Sequence, residues 1–269
     1  MATEIFNGPV GEVRIAGASK GVACTTTAAF TQVPAGTKTI QLIPRNFATA
    51  VVVRYALCPW LTVLKTADLL ATFTDYSQEA NDGSTGTDIT LSSLNTLANG
   101  DAVYIGSHLP FRGLAVDVDS TNATASTLSV YYWNGSAWAD TSASDGSASG
   151  GATFAQDGNI TWTVPTAWVK APLMTTNSLA SGTGMYTDPK YWVRLTVSAA
   201  LDSSTTLNSL IAMPRSTSYS EITEITPLEF GIQSGDGGVA GVEALTDAGT
   251  ANLIINCNTR GSGQFVSLT

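Results

Sequence analysis

Short stretches in which apolar and polar residues alternate run along most of the chain. At 114–120, 160–165 and 191–197, apolar side chains occupy every second position, which is the period of a β-strand with one buried face. Gly, Asn, Asp, Ser and Pro separate such stretches at short intervals, as they do in β-sandwiches and jelly rolls. Further apolar runs predict additional strands at 38–44, 50–57, 101–106 and 251–257.

Helical patterns are scarce by comparison. Two segments, 64–73 and 91–100, are predicted to hold only a short helical turn or two. The many β-branched Thr and Val residues lower the helix propensity of the rest of the chain. We therefore predict an all-β fold that consists of β-sandwich or jelly-roll units with little helix.

The composition divides the chain into three segments, and the middle one contains every tryptophan except Trp60. Residues 40–56 and 242–258 each place a small turn before a strongly apolar strand. This similarity is compatible with chance and also with two chain ends that pair in one sandwich. The predicted segments are N-terminal sandwich strands at 1–66, a Trp-rich sandwich or jelly-roll module at 67–214, and C-terminal strands at 215–269.

Residues 130–138 read VYYWNGSAW and hold four large aromatic side chains. The central Asn-Gly pair predicts a β-hairpin with a two-residue type I′ turn, because both turn positions require a positive φ. In that register Tyr131 lies opposite Trp138, and Tyr131, Trp133 and Trp138 share one face. These three side chains are the candidate interface residues. We expect the two tryptophans to serve structure or assembly rather than sugar recognition.

The other face of this hairpin is predicted to pack into an aliphatic core through Leu128, Val130, Tyr132 and Ala137. The aromatic face then needs a cover of its own, because a large apolar surface rarely remains in water. Three covers fit: another loop of the chain, for which 139–158 is the candidate, another subunit, or a stacked sugar. We favour the intrachain cover over the other two.

The charge of the chain argues against several classes of function. The sequence has 21 acidic and 12 basic residues and a formal net charge of −9, whereas nucleic-acid binding requires clustered Lys and Arg. We therefore expect no nucleic-acid partner. The first residues lack the basic and apolar regions of a signal peptide. No apolar run approaches the roughly 20 residues of a membrane span, so we expect no membrane association.

The reactive side chains form no recognisable catalytic or metal-binding pattern. His108 is the single histidine and has no cysteine nearby, which favours a structural role over catalysis or metal binding. The acidic stretches 79–88 and 117–122 lack the register of a calcium-binding loop and are predicted to be solvated turns. We expect no enzymatic activity, catalytic residue, metal or cofactor. The three cysteines predicted to be buried free thiols are Cys24, Cys58 and Cys257.

Several short motifs follow one another through residues 70–213. They include EANDGSTGTD, VYIGSHLPFRG, YYWNGSAW, NITWTVPTAWV and YWVRLTV. Together they resemble a β-module that recurs in structural proteins of tailed bacteriophages, and FTQVPAGTKTIQLIPRN resembles the opening strands of phage sandwich domains. Members of this family are capsid decoration (cement) proteins, head fibres and tail accessory proteins, and the family brings no catalytic motif.

The resemblance implies a non-enzymatic virion structural protein. Within the family we expect a capsid decoration protein that binds the major capsid protein on the capsid exterior, stabilises the phage head and forms a homotrimer. The alternative is a tail or fibre accessory module that binds host-surface glycan. Synthesis in the bacterial host cytoplasm agrees with free thiols, because that compartment keeps cysteines reduced.

Overall fold

The computed structural model describes residues 19–34, 36–46, 51–176, 188–222, 227–234 and 237–258. Twenty strands and two short helices lie within these residues, which confirms the predicted all-β class. No helix in these segments is long and apolar enough to cross a membrane. The chain divides into two compact units, one formed by 1–58 with 217–269 and the other by 59–216.

The regular elements are short. The helices are α1 (Ser77–Asn81) and α2 (Leu173–Thr176), and 3-10 turns occur at Leu97–Asn99 and Ser216–Ser218. The strands are β1 (Ser19–Cys24), β2 (Ala29–Gln32), β3 (Thr39–Arg45), β4 (Val53–Pro59), β5 (Thr62–Thr66), β6 (Thr74–Asp75), β7 (Ile89–Thr90), β8 (Ala102–Ser107), β9 (Phe111–Ser120), β10 (Leu128–Trp133), β11 (Trp138–Asp140), β12 (Ser144–Asp145), β13 (Gly158–Thr161), β14 (Lys170–Ala171), β15 (Lys190–Val197), β16 (Thr206–Pro214), β17 (Ser220–Ile222), β18 (Leu228–Gly231), β19 (Val239–Thr246) and β20 (Ala251–Asn258).

The first unit is a sandwich of two four-stranded sheets, with strand orders β1-β20-β3-β18 and β17-β4-β19-β2. Strands from the two ends of the chain lie side by side in both sheets, since β20 lies between β1 and β3 and β19 lies between β4 and β2. The core contains fully buried side chains from both ends, among them Ile40, Leu42, Val242 and Leu253. Folding of this unit therefore requires both ends of the chain.

The second unit contains two antiparallel sheets. One has seven strands in the order β11-β10-β15-β8-β5-β6, with β14 paired to β15, and the other has five in the order β12-β13-β9-β16-β7. Both sheets contribute to the main core, which contains Leu114, Val116, Ile160, Val193 and Leu195. The inward faces that alternation predicts for β9, β13 and β15 are therefore confirmed.

The central strands of the seven-stranded sheet, β5, β8 and β15, are buried on both faces. Their outward side chains Leu64, Tyr104 and Trp192 are fully buried and pack with Leu70 and Leu173 in a second, smaller cluster. We call this set the outer cluster. Because strand side chains alternate between the two faces, the outer face is covered by segments outside the sheet, here the loop after β5 and helix α2.

The helical turn predicted within 64–73 is wrong. The first three of these residues belong to β5, and the next turn is not helical because Leu69 and Leu70 have φ values of +56° and +72°. The Thr66 hydroxyl holds the loop in this form. Its oxygen accepts the Leu70 N–H at 2.8 Å, and the hydroxyl donates to Thr72 O at 2.8 Å.

The turn predicted within 91–100 is present as the 3-10 turn that precedes β8. It ends at Gly100, whose φ is +92° and whose missing Cβ would lie 2.9 Å from Ala67 O. Glycine meets both conditions because it has no side chain. Helix α1 was not predicted, since five residues are too few to show a helical period.

The two units meet in the sequence at 58/59 and 216/217, whereas composition placed the boundaries at 66 and 214. The first boundary moves because β5 pairs with β8 in the second unit, with Thr62 opposite Gly106. Residues 57–64 read LCPWLTVL, so that the apolar run of β4 continues into β5 almost without a polar interruption. Hydrophobic pattern alone therefore does not mark the junction.

Gly106 of β8 lies opposite Trp192 of β15, and this close contact predicts that Gly106→Ala lowers the stability of the fold. A Cβ at this position would lie 2.5 Å from the buried Trp192 ring, whereas a Cβ at Gly86 would meet only Ser84 Oγ at 3.6 Å. We expect Gly106→Ala to lower the free energy of unfolding by about 1–3 kcal/mol and the control Gly86→Ala to have little effect. Urea unfolding measures both, and equal values for the two variants would refute the close contact.

Candidate functional site

The aromatic hairpin is present as β10 and β11, but its register differs from the prediction. Trp133 lies opposite Trp138, and Tyr131 lies opposite Asp140 rather than Trp138. The loop has four residues, because Asn134 Oδ1 accepts the N–H groups of the second and third residues after it at 2.9 and 2.8 Å. Only Gly135 in this loop has a positive φ, +98°, so the turn is not type I′.

Tyr131, Trp133 and Trp138 still share one face, as predicted, because the two-residue shift preserves the alternation. The rings of Trp133 and Trp138 contact edge to face, with centroids 5.6 Å apart and an interplanar angle of 62°. Trp138 makes a second such contact with Tyr104, also at 5.6 Å. Trp133 is only 8% exposed, whereas Trp138 and Tyr131 are half-buried. We call this group the aromatic face.

The opposite face of the hairpin contributes to the main core, as predicted for three of its four side chains. Val130 is fully buried there, and Leu128 and Tyr132 pack against it. Ala137 is the exception, since it lies in the four-residue loop and is exposed. The difference follows from the register, because Tyr132 pairs with Ala139 and not with Ala137.

The cover of the aromatic face comes from the same chain, but not from 139–158. Phe154 of that segment packs in the main core, on the opposite side of the sheet. The segment that reaches the hairpin lies after Pro165: Val169 N donates to Trp133 O at 3.1 Å, and Leu173 joins the outer cluster. An intrachain cover therefore accounts for the burial of Trp133.

Arg194 completes the aromatic face, and the sequence analysis did not identify it. Its guanidinium carbon lies 5.2 Å from the ring centre of Tyr131 and 5.0 Å from that of Trp138. Both distances are within the range of cation–π contacts. Arg194 occupies an outward position of β15 two residues after Trp192. The sequence does contain one indication of this role: Arg194 is a charged residue between the apolar residues Val193 and Leu195 of a predicted strand.

His108 lies in the turn between β8 and β9. Its Nε2 atom lies 2.9 Å from Asp188 Oδ2, so the contact joins this turn to the residues just before β15. Both side chains are partly exposed. The residues described by the structure contain no group of three His, Cys, Asp or Glu side chains placed to hold a metal ion.

The three cysteines are buried and carry free thiols, which confirms their predicted state. Burial raises the pKa of the Cys24 thiol to about 11. Burial also raises the pKa of Cys257 to about 11, against a smaller opposing effect of a hydrogen bond with Thr37. Both groups are therefore protonated at neutral pH and are poor nucleophiles.

The two acidic stretches differ from each other. In 79–88 the first three residues belong to α1, so the predicted turn is wrong there. From Asp82 onward the turn is confirmed, because Asp82 accepts the Ser84 N–H and the Thr87 hydroxyl, each at 2.8 Å. In 117–122, the first residues belong to β9 and not to a turn. Asp117 accepts a hydrogen bond from the Asn208 side chain of the neighbouring strand β16. The backbones of the two strands are paired at this point.

Asn122 and Asp202 link three loops of the second unit. The Asn122 amide is almost completely buried and donates to three acceptors, including Thr153 O at 3.0 Å. Asp202 accepts the Ala123 N–H at 2.7 Å and the Ser204 N–H at 3.0 Å. These backbone hydrogen bonds lower the pKa of Asp202 to about 2, because they stabilise the ionised carboxylate.

Comparisons with protein-family models, with curated proteins and with solved structures each find no match to this chain. The chemistry of the aromatic face follows from its geometry: it offers ring stacking, cation–π contact and hydrogen bonding through Arg194. Of the predicted site residues, Trp133 is part of a buried structural contact, and Tyr131 and Trp138 are half-buried beside Arg194.

The edge-to-face pair of tryptophans predicts that the hairpin depends on both rings. We expect Trp133→Ala to lower the free energy of unfolding by about 3–5 kcal/mol. A double-mutant cycle with Trp138→Ala is expected to give a coupling energy of roughly 0.5–1.5 kcal/mol. Chemical denaturation of the four proteins measures both quantities. Additive effects with no coupling would contradict a direct contact between the rings.

The pKa of Asp202 predicts a pH-dependent contribution to stability. Since its folded-state pKa of about 2 lies below the unfolded value, the carboxylate stabilises the folded protein above roughly pH 4. This contribution is lost as the pH falls from about 4 toward 2. We expect Asp202→Asn to lower the melting temperature at pH 7, and the difference from wild type to shrink at pH 2–3. A difference that stays constant across this range would contradict the assignment.

Proposed function

We propose that this chain is a non-enzymatic structural protein of a tailed-bacteriophage virion. In this proposal it is a capsid decoration protein that binds the major capsid protein on the exterior of the head and stabilises the shell as a homotrimer. The alternative, a tail or fibre accessory module that binds host-surface glycan, uses the same module elsewhere on the virion.

The observation that carries the proposal is the structural role of the motifs that resemble the phage module. Residues 70–213 lie within a single compact unit, and the indole N–H groups of three motif tryptophans bond to backbone oxygens. Trp168 donates to Trp192 O at 3.1 Å, Trp192 donates to Ala171 O at 2.9 Å, and Trp162 donates to Phe111 O at 3.1 Å.

These contacts explain why such residues recur together in one module. A buried indole must satisfy its N–H group. Two of the three bonds join residues 168–171 to β15, and the third joins Trp162 to the start of β9. The resemblance rests on positions that hold this fold together, and the virion role is proposed from that resemblance.

An assembly role would use apolar side chains that the second unit leaves exposed. In the second unit Leu109 is 60% exposed and Leu69 is 46% exposed. Leu69 also has a positive φ, which is an unfavourable conformation for a residue with a side chain. A protein repeated over a symmetric shell needs little affinity per site, because several weak contacts in one trimer act together.

Virions from a host culture that produces this chain test the proposal. We expect an antibody raised against the purified chain to label the capsid exterior in electron micrographs, and the chain to sediment with expanded capsids. We expect Leu109→Asp to weaken this co-sedimentation while Leu228→Asp, a matched change in the first unit, does not. Labelling of the tail alone would favour the alternative, and virions without label would overturn both.

A further inference from the structure

The loop between β10 and β11 contains the dipeptide Asn134-Gly135 for a structural reason. Asn134 Oδ1 accepts the backbone N–H groups of the two residues that follow Gly135, and Gly135 has a φ of +98°, which favours glycine. The turn therefore uses both residues. The same pair is chemically reactive, because glycine has no side chain that would hinder the approach of its nitrogen to the asparagine carboxamide.

The Gly135 nitrogen is available for such a reaction. Its N–H group donates no hydrogen bond within the described part of the chain. Gly135, Ser136 and Ala137 are exposed, and Asn134 is partly exposed. Water and hydroxide therefore reach the loop, and no hydrogen bond has to break before the nitrogen attacks.

Three donors converge on the carboxamide oxygen of Asn134. They are the Ser136 N–H at 2.9 Å, the Ala137 N–H at 2.8 Å and the Ser136 hydroxyl at 3.0 Å. When a nucleophile attacks Cγ, this oxygen becomes the negatively charged oxygen of a tetrahedral intermediate. Donors that already point at such an oxygen stabilise the developing charge, as they do in the oxyanion holes of acyl-transfer enzymes.

Another Asn-Gly pair of the described residues, Asn99-Gly100, lacks both features. Gly100 N donates to Leu97 O at 2.9 Å at the end of the 3-10 turn, so this nitrogen is engaged. Asn99 Nδ2 donates to Thr96 Oγ1 at 3.2 Å, and Asn99 Oδ1 accepts no hydrogen bond from the residues that the structure describes. Asn99 is exposed, so access of water does not distinguish it from Asn134.

We propose that Asn134 is a site of spontaneous deamidation in the folded protein. The Gly135 nitrogen loses its proton to hydroxide and forms a bond to Asn134 Cγ. The Cγ–Nδ2 bond breaks, Nδ2 takes a proton from water and leaves as ammonia, and a cyclic imide remains. Water then opens the ring at either carbonyl carbon. Opening at Cγ gives aspartate, and opening at the main-chain carbon gives isoaspartate, whose Cβ and Cγ belong to the main chain.

The two products differ in their effect on the hairpin. Aspartate retains the main-chain length and an oxygen that accepts the N–H groups of the loop. Isoaspartate lengthens the main chain of a loop that closes directly onto the Trp133–Trp138 pair, where Asn134 N donates to Ala137 O at 3.1 Å. We therefore expect isoaspartate to disturb the aromatic face and aspartate to preserve it. This chemistry does not rest on the proposed virion role.

Peptide mapping by mass spectrometry, with isoaspartyl methyltransferase as the specific label, tests the proposal on the full chain incubated near neutral pH. Asn99 and Asn134 fall on different tryptic peptides, because Arg112 lies between them. In the folded protein we expect isoaspartate to accumulate at Asn134 at least roughly 10-fold faster than at Asn99, where the Gly100 hydrogen bond has to break first. In urea, which unfolds both loops, we expect the two rates to become similar.

Variants test the converging donors and the effect on the aromatic face. Ser136→Ala removes the hydroxyl donor and leaves both backbone donors, and we expect several-fold slower deamidation at Asn134. Ser149→Ala is the matched control, because Ser149 is also exposed in the second unit and lies outside the hairpin. We expect the tryptophan fluorescence of the wild type to change as isoaspartate accumulates, and that of Asn134→Asp to resemble fresh wild type. Thermal melts verify that each variant is folded.

Several outcomes would overturn the proposal. Similar rates at Asn134 and Asn99 in the folded protein would do so, and so would a ratio of rates that urea leaves unchanged, because sequence alone would then account for it. Aspartate without isoaspartate at Asn134 would exclude the cyclic imide. Equal rates in Ser136→Ala and Ser149→Ala would exclude the contribution of the hydroxyl donor. None of these results depends on whether the chain binds capsids.

Discussion

Burial of β8 and β15 on both faces is the constraint on which the second unit depends. The outward apolar residues of such strands need packing partners outside the sheet, because they cannot remain in water. Gly106 leaves room for the Trp192 ring, and Trp192 in turn donates to Ala171 O. The outer cluster thus connects the sheet to the segment that follows Trp168.

At the edge of the sheet, the outward side chains of the aromatic hairpin also need packing partners. The outward row that contains Gly106 and Trp192 continues through Trp133 to Trp138, because these residues are paired or adjacent in register. At this edge the rings pack against one another. Each edge-to-face pair stabilises the folded state beyond the contribution of buried apolar area. The rings become more exposed toward β11, where the cover ends. The hairpin is therefore structural at its inner side and accessible at its outer side.

Alternation of apolar residues was sufficient to predict the strands and the inward faces of β9, β13 and β15. It was insufficient for three features, each for a physical reason. The hairpin register depends on how the Asn134 side chain bonds to the loop backbone, and Asn-Gly occurs in turns of several lengths. The boundary near 58 falls inside a continuous apolar run. The role of Arg194 depends on rings that two other strands, β10 and β11, supply.

Clustered aromatic residues in a sequence can indicate a binding surface. In this fold most of the aromatic side chains around the hairpin are buried, which limits what they can bind. Trp133 and Trp192 have little or no exposed surface, and the half-buried Trp138 contacts Tyr104, Trp133 and Arg194. Arg194 lies in the same outward region of the sheet, with its guanidinium beside the Tyr131 and Trp138 rings. Aromatic side chains of this antiparallel sheet therefore position a charged group, because two rings contact the Arg194 guanidinium.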